Sequence, residues 1–452
     1  MLAENIKNCM QMFNFFQLKV NKILIFILEK VFKIFFKQEL GDKAKNFINN
    51  FGFLATAEIL ASFIGFPIKI LAGRFLGPVE YGKYSLILSV AQFFIIPMLL
   101  GFVVAALRYI PEHKDLQKQI TSWLQVFFTV TTILTVFFLI LNKTWWLKVF
   151  GISVDMFYYA LIFSIFLAIF NLYDAFNRSF HRFKVVSSVA IINSIVLLLA
   201  FLLFLFGFGI KNYQSFIIAN ILSLATSLFV LGRFIFKSGF SFSLPKDIFN
   251  KIFKYSTVSV IGAFTGFIIL NSDRFFLNHF NSFYFVGIYA AYTNAANVFV
   301  GRFFQLFLNV YFPSISGEQD KNKIKDFIRK VLKIFLIGAF ILSFFSIWLI
   351  IWLFGKKFPV DFTLITLFSL NNCFFIFYQL YMWLLNSEGM RGVGFVLKTS
   401  FLVSMLNLSL LFILVPLFGI YGAIISSIIL NIIFSLVFYI KTKNFFKNEI
   451  TN

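Results

Sequence analysis

Stretches of about twenty mostly apolar residues, rich in Leu, Ile, Phe, Val and Ala, alternate along the chain with short clusters of charged residues or of Gly, Pro and Asn. A helix that crosses a bilayer needs about 20 such residues. The pattern predicts twelve spans, at roughly 53–72, 84–107, 120–141, 156–176, 185–206, 213–234, 255–277, 286–312, 332–354, 360–386, 395–415 and 417–440. The softest boundary is LFILVPLFGIYG at 411–422, where one Pro and two Gly are all that separate the last two spans.

The basic residues orient these spans. Residues 1–52, the connections at 108–119, 177–184, 233–254, 313–331 and 387–394 with their flanks, and the tail hold 30 of the 40 Lys and Arg. The alternate connections hold eight, and Lys69 and Arg302 fall inside spans. Basic residues favour the cytoplasmic side, so both termini are expected there, in a multi-pass protein of the cell membrane. Within the N-terminal segment, LKVNKILIFILEKVFKIFFK at 18–37 repeats Lys at roughly helical spacing on an apolar background. An amphipathic helix lying in the inner interface is the favoured reading, and an extra span is the other.

Composition agrees and removes other classes. Hydrophobic residues make up 60% and charged residues 13%, with mean hydropathy +0.89, whereas a soluble globule carries about 25% charged residues. The net charge of +22 follows from the positive-inside bias and from attraction to anionic lipid head groups, so no nucleic-acid partner is expected. Cys9 and Cys373 make neither a disulfide framework nor a metal set. His113, His181 and His279 lie scattered in connections without ligand spacing. No Asp-x-Asp, phosphate-binding loop or dinucleotide glycine pattern is present. The longest outer connection, about 14 residues at 142–155, leaves no room for an outer catalytic domain. The chain is therefore expected to be neither an enzyme nor an ATP-driven pump.

One interruption stands out. AGRFLGPVEYGKY, at 72–84, packs three Gly, one Pro, Arg74, Glu80 and Lys83 between two apolar runs. It reads as an outer hairpin between spans one and two, with Arg74 reaching back to the interface. The pattern echoes later. Arg74 followed by Gly82-Lys83-Tyr84 resembles Arg274 followed by Gly287-Ile288-Tyr289. Each leads into a long span that ends at a proline beside a charged connection, Pro111 and Pro313. The offset is six spans, an even number, so both halves enter the membrane in the same sense. Two such halves would be related by an axis along the membrane normal.

The run from Arg74 through Gly77, Pro78, Glu80, Tyr81, Gly82 and Tyr84, the span closing in Ala106-Leu-Arg108-Tyr-Ile-Pro111-Glu112, and Gly419-Ile-Tyr-Gly422 before the last span resemble the polysaccharide-type flippases. These belong to the multidrug/oligosaccharidyl-lipid/polysaccharide exporter superfamily, and the likeness runs over about 50–440. The resemblance implies an all-α polytopic membrane protein of about 12 transmembrane helices in two six-helix lobes around a central cavity. The expected parts are a cytoplasmic segment at 1–52, lobes at 53–236 and 255–440, a cytoplasmic linker at 237–254 and a tail at 441–452. It further implies alternating access and export of an undecaprenyl- or dolichyl-pyrophosphate-linked oligosaccharide. Multidrug export and lipid II flipping are the alternatives within the superfamily. In lipid II flippases the first span carries an Arg-Asp pair about where this chain has Ile68-Lys69, a departure that counts against that substrate.

A charge within a span costs about 2.5–3.5 kcal/mol on insertion scales and needs a cavity or a partner. Span eight is the most informative. Asn294, Asn297, Gly301, Arg302, Gln305 and Asn309 fall within an arc of roughly 140° at about 100° per residue. The stripe reads either as the lining of a wet cavity for a sugar phosphate or as hydrogen bonding between packed helices. Span ten repeats it more weakly with Asn372, Gln379 and Asn386. Lys69 is a further cavity candidate, as is Arg74 when not read as hinge and anchor. Glu58 and Lys69 lie three helical turns apart in span one and do not pair. Asp174 and Arg178, spaced i,i+4 at an inner helix end, read as a local ion pair. Asp273-Arg274, near the outer end of span seven, is anchor or gate. Expected partners are the polyprenyl-linked glycan, anionic lipids and polysaccharide polymerase machinery, around a functional monomer. No cofactor is expected, and a driving ion gradient or membrane potential stays open.

Overall fold

The computed structural model describes residues 42–236, 241, 243, 245–301, 304, 307, 308 and 321–448. The segment at 18–37 lies outside them. The described residues are almost wholly helical, with thirteen helices whose bounds are α1 Asp42–Leu99, α2 Phe102–Glu112, α3 Gln117–Leu141, α4 Lys143–Phe150, α5 Val154–Ser179, α6 Phe183–Leu202, α7 Tyr213–Phe236, α8 Lys246–Phe280, α9 Phe283–Ala296, α10 Lys321–Phe354, α11 Phe362–Asn386, α12 Met390–Phe418 and α13 Ile420–Asn448. Ten of the helical stretches are long and apolar enough to cross a membrane. The sequence pattern predicts twelve. The first two run together as Ile64–Leu99, and the expected eighth span is described only in part.

That joining corrects the predicted hairpin loop. Residues 72–84 are helical on both sides of one residue, Gly77, whose φ of 78° and ψ of 172° break α1 into two legs. Only glycine takes that backbone cheaply. Pro78 follows it at the first position of the second leg, where its missing N–H removes no helical bond. The charges also have local work. Glu80 holds Lys83 through Oε1 at 2.7 Å, and its Oε2 accepts the Tyr213 N–H at 3.0 Å, capping the first turn of α7.

The connections sort onto two ends. Gly77 lies against Lys357, and Gly419 lies against Asn281. Asn278 donates to the Phe150 and Gly151 carbonyls. These meet at what we call the Gly77 end. At the opposite, basic end, Arg108 stacks on Tyr255 and the Ser241 N–H binds Ser122 Oγ at 3.0 Å.

In a bilayer, helices associate through close packing rather than through a hydrophobic gain. A close backbone approach joins the two halves of the chain. A Cβ at Gly82 would stand 1.9 Å from the Phe283 carbonyl oxygen, and one at Gly287 would stand 1.9 Å from the Pro78 carbonyl oxygen. The contact is reciprocal, as a twofold relation between the legs starting at Pro78 and Phe283 requires. A second repeat flanks it. Tyr213, opening α7, donates to Asp155 at the start of α5, and Tyr421, opening α13, donates to Asp361 just before α11.

The buried apolar residues form two clusters. One fills the first half and enters the second half mainly near the Gly77 end, through residues such as Ile351, Phe354, Phe368, Val415 and Ile424. The other belongs to the second half alone, from Val300, Phe304 and Leu308 to Leu384, Phe434 and Phe438. At the basic end the halves meet where α8 packs on α2 and α3: Phe249 against Trp123, and Tyr255 against Tyr109.

Candidate functional site

Between the halves, about 12–20 Å from the Gly77 end at 1.5 Å per residue, two polar clusters cross the interface. In the first, Lys69 Nζ donates to Asn294 Oδ1 at 3.2 Å, and Asn294 Nδ2 donates to the Tyr81 hydroxyl at 3.1 Å. One amide of α9 thus collects side chains from both legs of α1. In the second, Arg274 Nη1 donates to Ser89 Oγ at 3.0 Å and to Asn271 Oδ1 at 2.9 Å. Ser89 also donates to Asn271 Oδ1 at 3.1 Å, and Asn271 Nδ2 donates to Gln92 Oε1 at 2.9 Å. Each cluster therefore joins α1 to α8 or α9.

Three polar side chains near these clusters are exposed: Lys69, Gln92 and Asn297. A bilayer core about 30 Å thick places them near its middle, where contact with lipid would cost several kcal/mol for a charge. Exposed polar groups at that depth are more cheaply placed in a wet space between the halves than in lipid. Two carboxylates within the described spans, Asp273 and Asp174, are already engaged. Asp273 is buried and accepts the Arg274 N–H at 2.9 Å, and Asp174 lies 2.6 Å from Arg178 Nε in an ion pair near the basic end. What the space offers is one exposed ammonium, a guanidinium at its wall, and neutral amides and hydroxyls. Such a set suits an anion that carries many hydroxyl groups. Among the described residues no group of three His, Cys, Asp or Glu could hold a metal.

Of the residues singled out from sequence, the structure brings Lys69, Asn294 and Arg274 to this interface, while exposed Asn297 donates to the Thr293 carbonyl of its own helix. Arg74 stands apart, exposed at the Gly77 end against Gly355. Gln379 Nε2 bonds the neighbouring Tyr378 hydroxyl at 3.3 Å, and Asn386 is half-buried at the basic end of α11. Asn372 is buried between helices and is no lining residue: its Nδ2 donates to the Ala296 carbonyl at 3.0 Å and to Ser343 Oγ at 2.9 Å. Arg302, Gln305 and Asn309 lie outside the described residues, as does the side chain of Glu58. The span-eight stripe needs one correction: Asn297–Gly301 form a π turn, so a uniform step of about 100° does not hold through Gly301.

Sequence reasoning missed Tyr81, Ser89, Gln92 and Asn271. Ser89 and Gln92 stand singly on an apolar leg, Tyr81 and Asn271 sit beside charges that drew the attention instead, and the partners lie far along the chain, 182 residues away for Ser89 and Asn271. The one available signal was register: Ser89 and Gln92 are one turn apart on the same leg as Tyr81.

A family model described as "Polysaccharide biosynthesis protein" matches residues 47–319. No curated relative matches the chain. Several solved structures are similar over most of it. An inward-facing conformation of a multidrug resistance MATE family transporter of the MOP superfamily is 12% identical, covering 87% of this chain and 95% of that one with TM-score 0.60. Its outward-facing counterpart is 11% identical over 88% and 96%, with TM-score 0.59. The lipid II flippase MurJ in an inward closed conformation is 15% identical over 86% and 87%, with TM-score 0.66. At such identities the likeness is one of fold.

Proposed function

Because the chain belongs to the polysaccharide biosynthesis protein family and has the fold of the MOP superfamily, we propose that it flips a polyprenyl-pyrophosphate-linked oligosaccharide from the cytoplasmic to the outer leaflet. On this reading the basic end faces the cytoplasm of a cell-membrane protein. The two halves act as the moving lobes of an alternating-access carrier, and the space between them is the substrate cavity.

The observation that carries the proposal is the exposed Lys69 near the bilayer middle, hydrogen-bonded to Asn294 and flanked by Gln92, Asn297 and the Arg274 cluster. An ammonium and a guanidinium at mid-depth would attract a pyrophosphate, and the amides would exchange hydrogen bonds with sugar hydroxyls. A lipophilic cation would instead need an accessible carboxylate near this cluster, and Asp273, the carboxylate beside Arg274, is buried and engaged. The lipid tail would stay in the bilayer while the head group crosses.

The test is flipping by Lys69 variants in cells whose surface glycan depends on this chain. Lys69→Ala should leave lipid-linked glycan on the inner leaflet and slow its outward appearance tenfold or more, the loss of one hydrogen bond to a charged group at about 1.5–3 kcal/mol. Lys69→Arg, which keeps the charge, should retain part of the rate. Normal surface glycan from a well-expressed Lys69→Ala protein would remove the site. Unchanged glycan in cells lacking the chain, with a gain in dye sensitivity, would shift the reading to drug export.

A further inference from the structure

Helix α9 carries Asn294 toward the first half and then changes its winding. Asn297–Gly301 form a π turn, in which hydrogen bonds close over five residues instead of four. The turn admits an extra residue, so the positions beyond it are rotated by roughly 100° relative to a uniform α-helix. Phe304 and Leu308 show the effect. On a uniform helix they would share an arc with Asn294 and Asn297, yet both are buried in the cluster that belongs to the second half alone. Before the π turn Asn294 thus reaches the interface, and beyond it Phe304 and Leu308 pack into the second half.

Such a turn needs support from outside the helix. It comes from Asn372 in the middle of α11. This side chain is 7% exposed and sends its amide to the carbonyl of Ala296, the last residue before the π turn, and to Ser343 on α10. An amide has two N–H donors, and both are used here. We propose that Asn372 is a positioning residue: it pins the π turn and thereby sets the direction in which Asn294 and Asn297 face the cavity. Pinning of the turn stands on the geometry alone, and its consequence for transport rests on the function proposed above.

The experiment uses the full-length protein in membranes, with Cys9 and Cys373 replaced by Ala and single cysteines placed at 297, 304 and 308. With Asn372 intact, an impermeant thiol reagent admitted to both sides should label 297 and spare 304 and 308. Asn372→Leu, which keeps the bulk and removes both donors, should let the turn relax toward α geometry and expose 304 and 308 to the reagent. Asn372→Ala should do the same if the Leu variant assembles poorly, and Asn372→Gln, which keeps an amide, should restore much of the original pattern. An unchanged pattern in both Asn372→Leu and Asn372→Ala would overturn the assignment, whatever happens to transport. A changed pattern with slowed flipping supports it. A changed pattern with normal flipping would leave Asn372 pinning the turn and overturn its role in positioning the site.

Discussion

At the Gly77 end the two halves of the molecule share one apolar core, and their backbones touch at Gly82 and Gly287. At the basic end the second half keeps a core of its own, and the described contacts between halves run through α8 against α2 and α3. The same pair of halves is thus sealed at one end and joined along a single edge at the other. With the basic end in the cytoplasm, as proposed, this is a carrier closed to the outside. The difference teaches where resistance to motion lies. Opening the Gly77 end must part the reciprocal Gly82–Gly287 contact, whereas at the basic end the halves meet through side chains and through Gly101 against the Ser256 carbonyl.

The largest effect should follow from adding one methyl group to the sealed end. Gly82→Ala and Gly287→Ala each drive a Cβ into a carbonyl that cannot turn aside as a side chain could. Overpacking of this kind costs about 1–3 kcal/mol or more. Both variants should melt several degrees lower in detergent and lose most transport. Gly266→Ala is the control: nothing lies within 4 Å of its added Cβ, and a helical Gly→Ala change should stabilise by about 0.5–1 kcal/mol. If Gly82→Ala melted with the parent protein, the sealed end would be looser than the packing says.

The repeated tyrosines sharpen the comparison between halves at that same end. Tyr213→Phe and Tyr421→Phe each delete a hydrogen bond to a carboxylate, worth about 1.5–3 kcal/mol when buried. Tyr213 is buried and Tyr421 is only partly so. Each carboxylate keeps other bonds, Asp361 from the Thr363 and Leu364 N–H groups and Asp155 from Ser153 and the Met156 N–H, so burial of the tyrosine sets the order. Tyr213→Phe should therefore lower the melting temperature more than Tyr421→Phe. The reverse order would mean that the second-half copy carries the greater share.

The spans themselves were legible, because twenty apolar residues in a row have few other uses and the charges between them mark the ends. The stretch at 72–84 was not read correctly. Gly and Pro signal turns on average, but here Gly73 and Gly82 remain helical and serve close approach, to Phe354 and to Phe283. Only Gly77 departs from the helix. Lys69 was found because a lone charge in a span demands an explanation. Ser89 was not, since a lone hydroxyl demands none, and Asn271 was passed over beside the Asp273-Arg274 charges. The π turn left no trace in composition. The Asp155–Tyr213 and Asp361–Tyr421 pairs had a signal in their nearly equal spacing, a little over two hundred residues, which the echo between Arg74 and Arg274 does not contain.

The smallest effect is expected at the basic end. Arg108 lies 4.8 Å above the ring of Tyr255 and 5.3 Å above that of Tyr109, so a cation from the first half rests on an aromatic from the second. Arg108 is exposed, and cation–π contacts at exposed sites are worth about 0.5–1 kcal/mol. Removing it should hardly move the melting temperature. A carrier, however, partitions between states, and a contact made in only one of them shifts their ratio by its full value. About 0.5–1 kcal/mol is a factor of roughly 2–5. On alternating access, parting α8 from α2 accompanies opening of the Gly77 end, so Arg108→Ala should raise the labelling of a cysteine at Ala290 from outside by that factor. Ala290 is fully buried as the halves stand. Arg108→Lys, which keeps a cation over the ring, should give a smaller rise. Unchanged labelling in Arg108→Ala would mean that the α2–α8 edge stays joined in both states and acts as the hinge itself.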